Sequence, residues 1–157
     1  MPRAVVHALA FAFAVVILGS GTGHAQQAEV NEVKAAIDAY HAALGSLDIA
    51  KMEPLWSHDA NVMLINPRDK SISVGWDAVR KHWVEATFNL FSELAATQVD
   101  GPHIVVNGNV AWSTGIVNSM GKLKAGAATN APTFEIDVFE KRGGKWLIVS
   151  HVARFSQ

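Results

Sequence analysis

The chain has 157 residues, half of them hydrophobic and 17% charged, with a formal net charge of −1. Its longest basic clusters are the pairs Arg80-Lys81 and Lys141-Arg142, so no nucleic-acid partner is expected. It has no cysteine, which excludes disulfides, thiolate metal sites and a cysteine nucleophile, and nothing in it reads as a cofactor motif, so none is expected.

Residues 1–25 carry one early basic residue, Arg3, then an apolar run from Ala4 to Leu18, and close on a small-residue stretch ending Gly23-His24-Ala25. That is the pattern of a secretory signal peptide cut after Ala25, and the run is shorter than the roughly 20 apolar residues that a spanning helix requires. The expectation is an exported protein, periplasmic or secreted, with no membrane association after cleavage and one domain over 26–157.

Val30, Val33, Ile37, Tyr40 and Leu44 then recur at spacings of three and four, which predicts a helix with one buried stripe ending at Gly45-Ser46. Asp48 caps a second, short helix toward Trp56, interrupted by Pro54. A short strand over 60–65, a turn at Asn66-Pro67-Arg68-Asp69 and a returning strand over 71–74 precede Gly75, which opens a third helix. That helix carries Trp76, Val79, Trp83, Ala86 and Leu90 on one stripe, widened by Val84, Phe88 and Phe91.

From Ser92 the pattern is strand after strand. Asp100-Gly101-Pro102 bends the first, Asn107-Gly108 marks a hairpin, and Trp112, Thr114, Ile116 and Asn118 share a face of the next. A Gly/Ala/Thr-rich stretch over 121–131 predicts a mobile loop. The closing segment, 132–155, reads as two period-2 strands about Gly143-Gly144. Helices first and antiparallel strands afterwards make the fold α+β, with helices on one face of a curved sheet.

This order of elements, with Ser57-His58-Asp59-Ala60-Asn61-Val62, Val74-Gly75-Trp76-Asp77-Ala78-Val79-Arg80 and the run from Val138 to His151, resembles the nuclear transport factor 2-like superfamily. The SnoaL-like and ketosteroid isomerase-like branches are nearest. The resemblance implies a cone of three helices and a curved antiparallel sheet, a pocket for a small apolar or aromatic ligand, and a homodimer. In the steroid isomerases a phenol stands eight residues before an aspartate that starts the second helix, a spacing that Tyr40 and Asp48 reproduce. Their catalytic carboxylate falls two residues beyond the valine of an Asp-Ala-x-Val segment, and here that position is Leu64. Their second oxyanion donor falls at Thr133, with Glu135 close by. Steroid isomerisation by that mechanism is therefore not expected.

The candidate catalytic residues are His151 and Tyr40, set against a structural or interface histidine and a core tyrosine. A three-residue turn in the last hairpin would place Glu135 opposite His151, and a two-residue turn would place Ile136 there. Trp56, Leu64, Trp83, Trp112, Phe134 and Arg154 are the candidate ligand-binding residues, Arg154 set against a solvated strand-end arginine. His82 and Glu85 read as a solvated pair rather than half a metal site, and His41, His58 and His103 as surface or turn residues. The resulting expectation is an exported SnoaL-like protein that binds a small apolar or aromatic molecule, with isomerase, lyase or hydrolase activity. The alternative is a non-catalytic dimeric ligand-binding or assembly module.

Overall fold

The structure is a computed structural model describing residues 21–156. Residues 1–20 of the expected signal segment lie outside the described residues. Its last five residues open helix α1, Gly21–Ser46, which begins nine residues before the apolar stripe does. Val33, Ile37, Tyr40, Ala43 and Leu44 form the buried side of α1. The helix runs through Gly45 and Ser46 and ends at Leu47, whose φ of 52° turns the chain in the left-handed region. Asp48 caps α2, Ile49–Met52, accepting from the Ala50 amide at 2.9 Å, and Pro54 is absorbed by a short 3₁₀ turn, Glu53–Leu55.

Strands β1, Met63–Ile65, and β2, Ser73–Val74, are short. Gly75, at φ 84°, then starts α3, Trp76–Lys81, which widens into a π-helical segment, His82–Phe88. A wide turn changes which residues face inward. Beyond Trp83 the buried residues are Thr87 and Phe88, while Ala86 and Leu90 of the expected stripe remain exposed.

Four long strands follow: β3, Phe91–Asn107; β4, Val110–Leu123; β5, Ala128–Arg142; and β6, Lys145–Phe155. Residues 121–131 are not a loop. The β4 and β5 ladders continue through them to Lys122↔Ala128, leaving a tight turn at the tip, with Gly126 at φ 96°. The sheet order is β2-β1-β6-β5-β4-β3, with β1 parallel to β6 and the other pairs antiparallel.

The last hairpin decides where its polar residues point. Its turn has two residues, Gly143 and Gly144, both at positive φ as a type I′ turn requires. From the turn outward, Arg142 pairs with Lys145 and Phe139 with Ile148; Val138 then pairs with Ser150, leaving Val149 unpaired. This one-residue bulge shifts all later pairing. His151 accordingly lies opposite Asp137, and neither Glu135 nor Ile136 faces it as turn length alone suggests. The bulge also keeps Trp146, Ile148, His151 and Ala153 all buried, although they are not in one alternating phase.

The helices cover the inner face of the sheet. Val33 and Ile37 of α1, Met52 of α2, Val79 and Trp83 of the third helix, and Leu64, Phe139 and Ile148 of the sheet share one core. Full burial of each such side chain contributes about 1.5–3 kcal/mol. At the turn end, Lys141 Nζ donates to Glu29 at 2.7 Å and to Glu32 at 2.8 Å, and Trp146 Nε1 to Glu29 at 3.1 Å, fastening the hairpin to α1.

Candidate functional site

The inward positions of β5 are polar. Thr133, Glu135 and Asp137 are buried, while Phe134 and Ile136 between them face outward. Such a strand needs polar partners across the interior, and α1 and β6 supply them. His151 Nδ1 donates to Asp137 Oδ1 at 2.7 Å, since a carboxylate can only accept, and Ser113 Oγ donates to the other carboxylate oxygen at 3.3 Å. On the far side of the ring, His151 Nε2 lies 3.1 Å from the Tyr40 hydroxyl. Asp137, His151 and Tyr40 thus form a continuous hydrogen-bonded chain from the sheet to α1.

His151 is 1% exposed. Burial opposes its positive charge, but the Asp137 carboxylate beside it, with Glu135 and Asp69 farther off, outweighs that, and its pKa is raised above the ordinary 6.5. Tyr40 is held neutral: burial first, then the charges of Glu135 and Asp137, push its phenol well above 10. In either protonation state His151 Nε2 has a suitable partner. Neutral, it accepts from the Tyr40 O–H; protonated, it donates to the Tyr40 oxygen and leaves the hydroxyl proton to point elsewhere.

A second pair lies beside this chain. His41 Nε2 is 2.9 Å from Glu135 Oε2, with side-chain exposures of 11% and 8%, so His41 is not the surface residue that its position suggested. A third group stands on the other wall. His82, expected to be solvated, has a 14% exposed side chain; its Nε2 lies 3.2 Å from the Asn66 amide nitrogen and 3.4 Å from Asp69 Oδ2. Asn66 also donates to Thr87 Oγ1 at 3.2 Å, and its backbone N–H donates to Asp69 at 2.7 Å. Glu85, three residues along, is exposed and faces Lys81 at 3.8 Å. The wide turn of the third helix brings His82, Trp83 and Thr87 to one side.

Tyr40, His151, Glu135, Asn66, Asp69, His82 and Thr87 border one cavity of about 410 Å³, and Asp137 and His41 stand behind that lining as the partners of His151 and Glu135. Its wall is formed by Tyr40, Trp83, Phe91, Leu94 and Phe155, and its polar lining includes Asn66, Asp69, His82, Glu135 and His151. The Trp83 ring lies 6.0 Å from that of Tyr40 and 6.4 Å from that of His82. The Trp83 indole N–H is buried and has no acceptor among the described residues. A shallower, more open hollow of about 480 Å³, beside Leu47, Phe88 and Lys124, holds no imidazole. Among the described residues, no group of three or more His, Asp or Glu could hold a metal ion, and no helix is long and apolar enough to cross a membrane.

Of the residues proposed from sequence, Tyr40, His151 and Trp83 converge on the cavity. Trp56 lies behind its wall, edge-on to Trp83 at 6.3 Å, with its own indole N–H unpartnered among the described residues. Leu64 is fully buried in the core, one strand over from His151 in direct register. The imidazole therefore stands beside the position where the isomerases carry their carboxylate. Trp112 and Phe134, 41% and 51% exposed, lie on the opposite face of the sheet, because β4 and β5 turn Ser113 and Glu135 inward instead. Arg154 also lies outside the cavity lining. It donates to the backbone oxygens of Asn66 at 3.3 Å and Asp69 at 3.2 Å, bracing the loop that carries the His82 partners.

Sequence reasoning overlooked Asp137, Asn66, Asp69 and Thr87. Asp137 shares its phase with Glu135 in a strand where Phe134, Ile136 and Val138 hold the other, so alternation alone turns it outward. The others depend on the path of the β1–β2 loop and on the wide turn, neither of which leaves a periodic trace.

No functionally curated protein matches the sequence. Among solved structures, the chain is similar to a nuclear transport factor 2-like superfamily protein from Salmonella enterica subsp. enterica serovar Typhimurium str. LT2, at 19% identity and a TM-score of 0.76, covering 87% of this chain and 94% of that one. A ketosteroid isomerase-like protein from Erwinia carotovora atroseptica SCRI1043 matches at 20% identity and a TM-score of 0.69, covering 82% and 97%. A hexachlorocyclohexane dehydrochlorinase (LinA), type 2, matches at 11% identity and a TM-score of 0.73, covering 87% and 90%. At these identities the likeness is one of fold, and it agrees with three helices on a curved sheet. The SnoaL-like domain model matches residues 33–155, nearly all of the described chain, and the protein belongs to the SnoaL-like family.

Proposed function

We propose that the protein binds a small apolar or aromatic molecule in the 410 Å³ cavity and moves a proton to or from it through Tyr40 and His151. The observation that carries this reading is the Asp137–His151–Tyr40 chain ending at an aromatic-walled cavity. A proton taken from the ligand by the Tyr40 oxygen displaces the hydroxyl proton onto His151 Nε2, where the imidazolium is held against Asp137; the reverse transfer returns it. The unpartnered indole N–H of Trp83 supports a ligand that carries an acceptor oxygen, which this donor would hold as charge develops on it. The corresponding activities are isomerase or lyase reactions that start from a carbonyl compound.

The test uses 1-tetralone, an aromatic ketone that fits these requirements, in D₂O. The protein should accelerate exchange of the protons next to the carbonyl, followed by NMR. His151→Gln should slow that exchange by roughly 10²-fold while leaving affinity, read from tryptophan emission, nearly unchanged. Equal exchange rates in the two proteins would leave only a binding pocket.

We further infer export with removal of residues 1–25, supported by the apolar run and Gly23-His24-Ala25. N-terminal sequencing of the mature protein should read Gln26 first. A reading as a homodimer is favoured by the exposed Trp112, Phe134 and Ile136, which stand together on the outer face of β4 and β5. Light scattering should give twice the subunit mass, and Phe134→Glu should reduce it.

A further inference from the structure

We infer that the ligand of the cavity is a cyclic ketone that also carries a carboxylate, and that Arg68, in the β1–β2 loop, holds this carboxylate at the cavity mouth. This inference names the substrate class of the proposed reaction and rests on that reading.

The cavity has a closed end and an open one. Tyr40, Trp83 and His151 are at most 2% exposed, whereas Arg68 is exposed and Phe155 is 43% exposed, and all five line the same space. Among the described residues, Arg68 is the only arginine or lysine of that lining. Its guanidinium lies over the Phe155 ring, 5.7 Å from the centroid. A ring face steadies the charge but leaves the five N–H donors of the group without a strong acceptor. Among the described residues, no carboxylate or carbonyl occupies those donors. The neighbouring acid, Asp69, is engaged elsewhere: its Oδ2 accepts from the Asn66 backbone N–H at 2.7 Å and lies 3.4 Å from His82 Nε2. By contrast Arg80 pairs with Glu53, and Arg142 with Asp59 and Glu140, and neither arginine lines the cavity.

The loop presents Arg68 on a braced turn. The Asp69 N–H donates to the Asn66 oxygen at 3.0 Å, Pro67 fixes the backbone between them, and Arg154 donates to the backbone oxygens of Asn66 and Asp69. With both ends of the turn held, the ordering cost of binding falls on one side chain. Arg154 is a positioning residue here, and it adds a second positive charge to the rim. The interior carries the opposite sign, since Glu135 lines it and Asp137 stands behind His151. A ligand carboxylate placed inside would be both desolvated and repelled, so it stays at the rim while the apolar body enters. The ketone oxygen then meets the Trp83 indole N–H at the closed end, and the guanidinium fork matches the carboxylate at the open one.

1-Tetralone-6-carboxylate has this layout, with ketone and carboxylate at opposite ends of the bicycle, and its methyl ester is the neutral control. At low salt the wild-type protein should favour the carboxylate over the ester by roughly fivefold in affinity, read from tryptophan emission, as a partly exposed ion pair allows. Added salt should shrink that ratio. Arg68→Gln should bring the ratio close to one, and Arg68→Lys, which keeps the charge without the fork, should retain part of it. Each ratio is taken within one variant, so ester binding shows that the variant is folded. No preference in the wild type, or a preference that survives Arg68→Gln, would overturn this inference and leave the proposed proton transfer standing. Loss of ester binding together with carboxylate binding in Arg68→Gln would make the side chain structural and overturn the inference as well. An Arg68-dependent preference without proton exchange in any probe would support the anchor and overturn the reaction. Failure of the wild type to bind the carboxylate, the ester or 1-tetralone would overturn both.

Discussion

His151 and Asp137 meet at 2.7 Å across the last two strands because Val149 has no partner in the ladder. The pair is almost entirely buried, and Ser113 and Tyr40 occupy the remaining polar positions around it. A buried ion pair of this kind is weak evidence of stabilisation by itself, but removing one partner leaves the other charge without compensation. That asymmetry makes the pair accessible to experiment.

Stability should depend on pH through His151. Its folded pKa is raised, so its contribution is fully present below the unfolded value near 6.5 and is lost as pH rises through the folded value. Urea denaturation of the wild type and His151→Gln, compared from pH 5 to pH 9, should show the largest difference at the acid end and a shrinking one toward alkaline pH. A difference that grows with pH would mean that His151 is neutral throughout.

Asp137→Asn keeps the shape of the side chain and removes its charge. Burial would then dominate, and the His151 pKa should move from above its ordinary value to below it. Histidine ring signals in an NMR titration would report the move directly. Proton exchange of 1-tetralone should fall with it, because the imidazolium formed during transfer loses its counter-charge.

Tyr40→Phe deletes one oxygen and leaves His151 Nε2 buried without its partner. The expected cost is about 1–3 kcal/mol of stability, the usual penalty for an orphaned buried polar group. Tetralone exchange should drop at the same time, since the group nearest the ligand is gone. Unchanged stability would imply that water fills the space and takes over the hydrogen bond.

Trp83→Phe should separate oxygen recognition from apolar binding. Loss of the indole N–H removes a hydrogen bond worth about 0.5–1.5 kcal/mol, so affinity for 1-tetralone should weaken by roughly threefold to tenfold. Affinity for naphthalene, which has no acceptor, should change much less. Equal weakening of both would assign Trp83 to shape alone.

The architecture was legible in the sequence where periodicity is strong. The α1 stripe, the Asp48 cap, the Gly75 start and the Gly143-Gly144 turn stand where their patterns placed them. The inward placement of Tyr40 and Trp83 on their helical stripes was legible, but that of His151 was not, because alternation from Trp146 and Ile148 turns it outward and the bulge turns it in. The errors have two causes. The bulge at Val149 and the wide turn at 82–88 each insert a step that a fixed period cannot represent, so Asp137 replaced Glu135 and Ile136 as the partner of His151, and His82 moved from solvent to the cavity. The stretch over 121–131 was read as a loop from its small residues, yet small residues also fit a ladder where side chains crowd. A Cβ on Gly121 would lie 2.8 Å from the Phe91 ring.

The alternation of β5 has one further consequence. Glu135 and Asp137 point to the interior and Phe134 and Ile136 to the exterior, the reverse of an ordinary water-facing sheet. The folded chain by itself presents Trp112, Phe134 and Ile136 to water. Failure in handling should then appear first as colloidal loss, turbidity and adsorption at temperatures where circular dichroism still reads native, so that thermal scans followed by scattering and by ellipticity would give different midpoints for the same molecule.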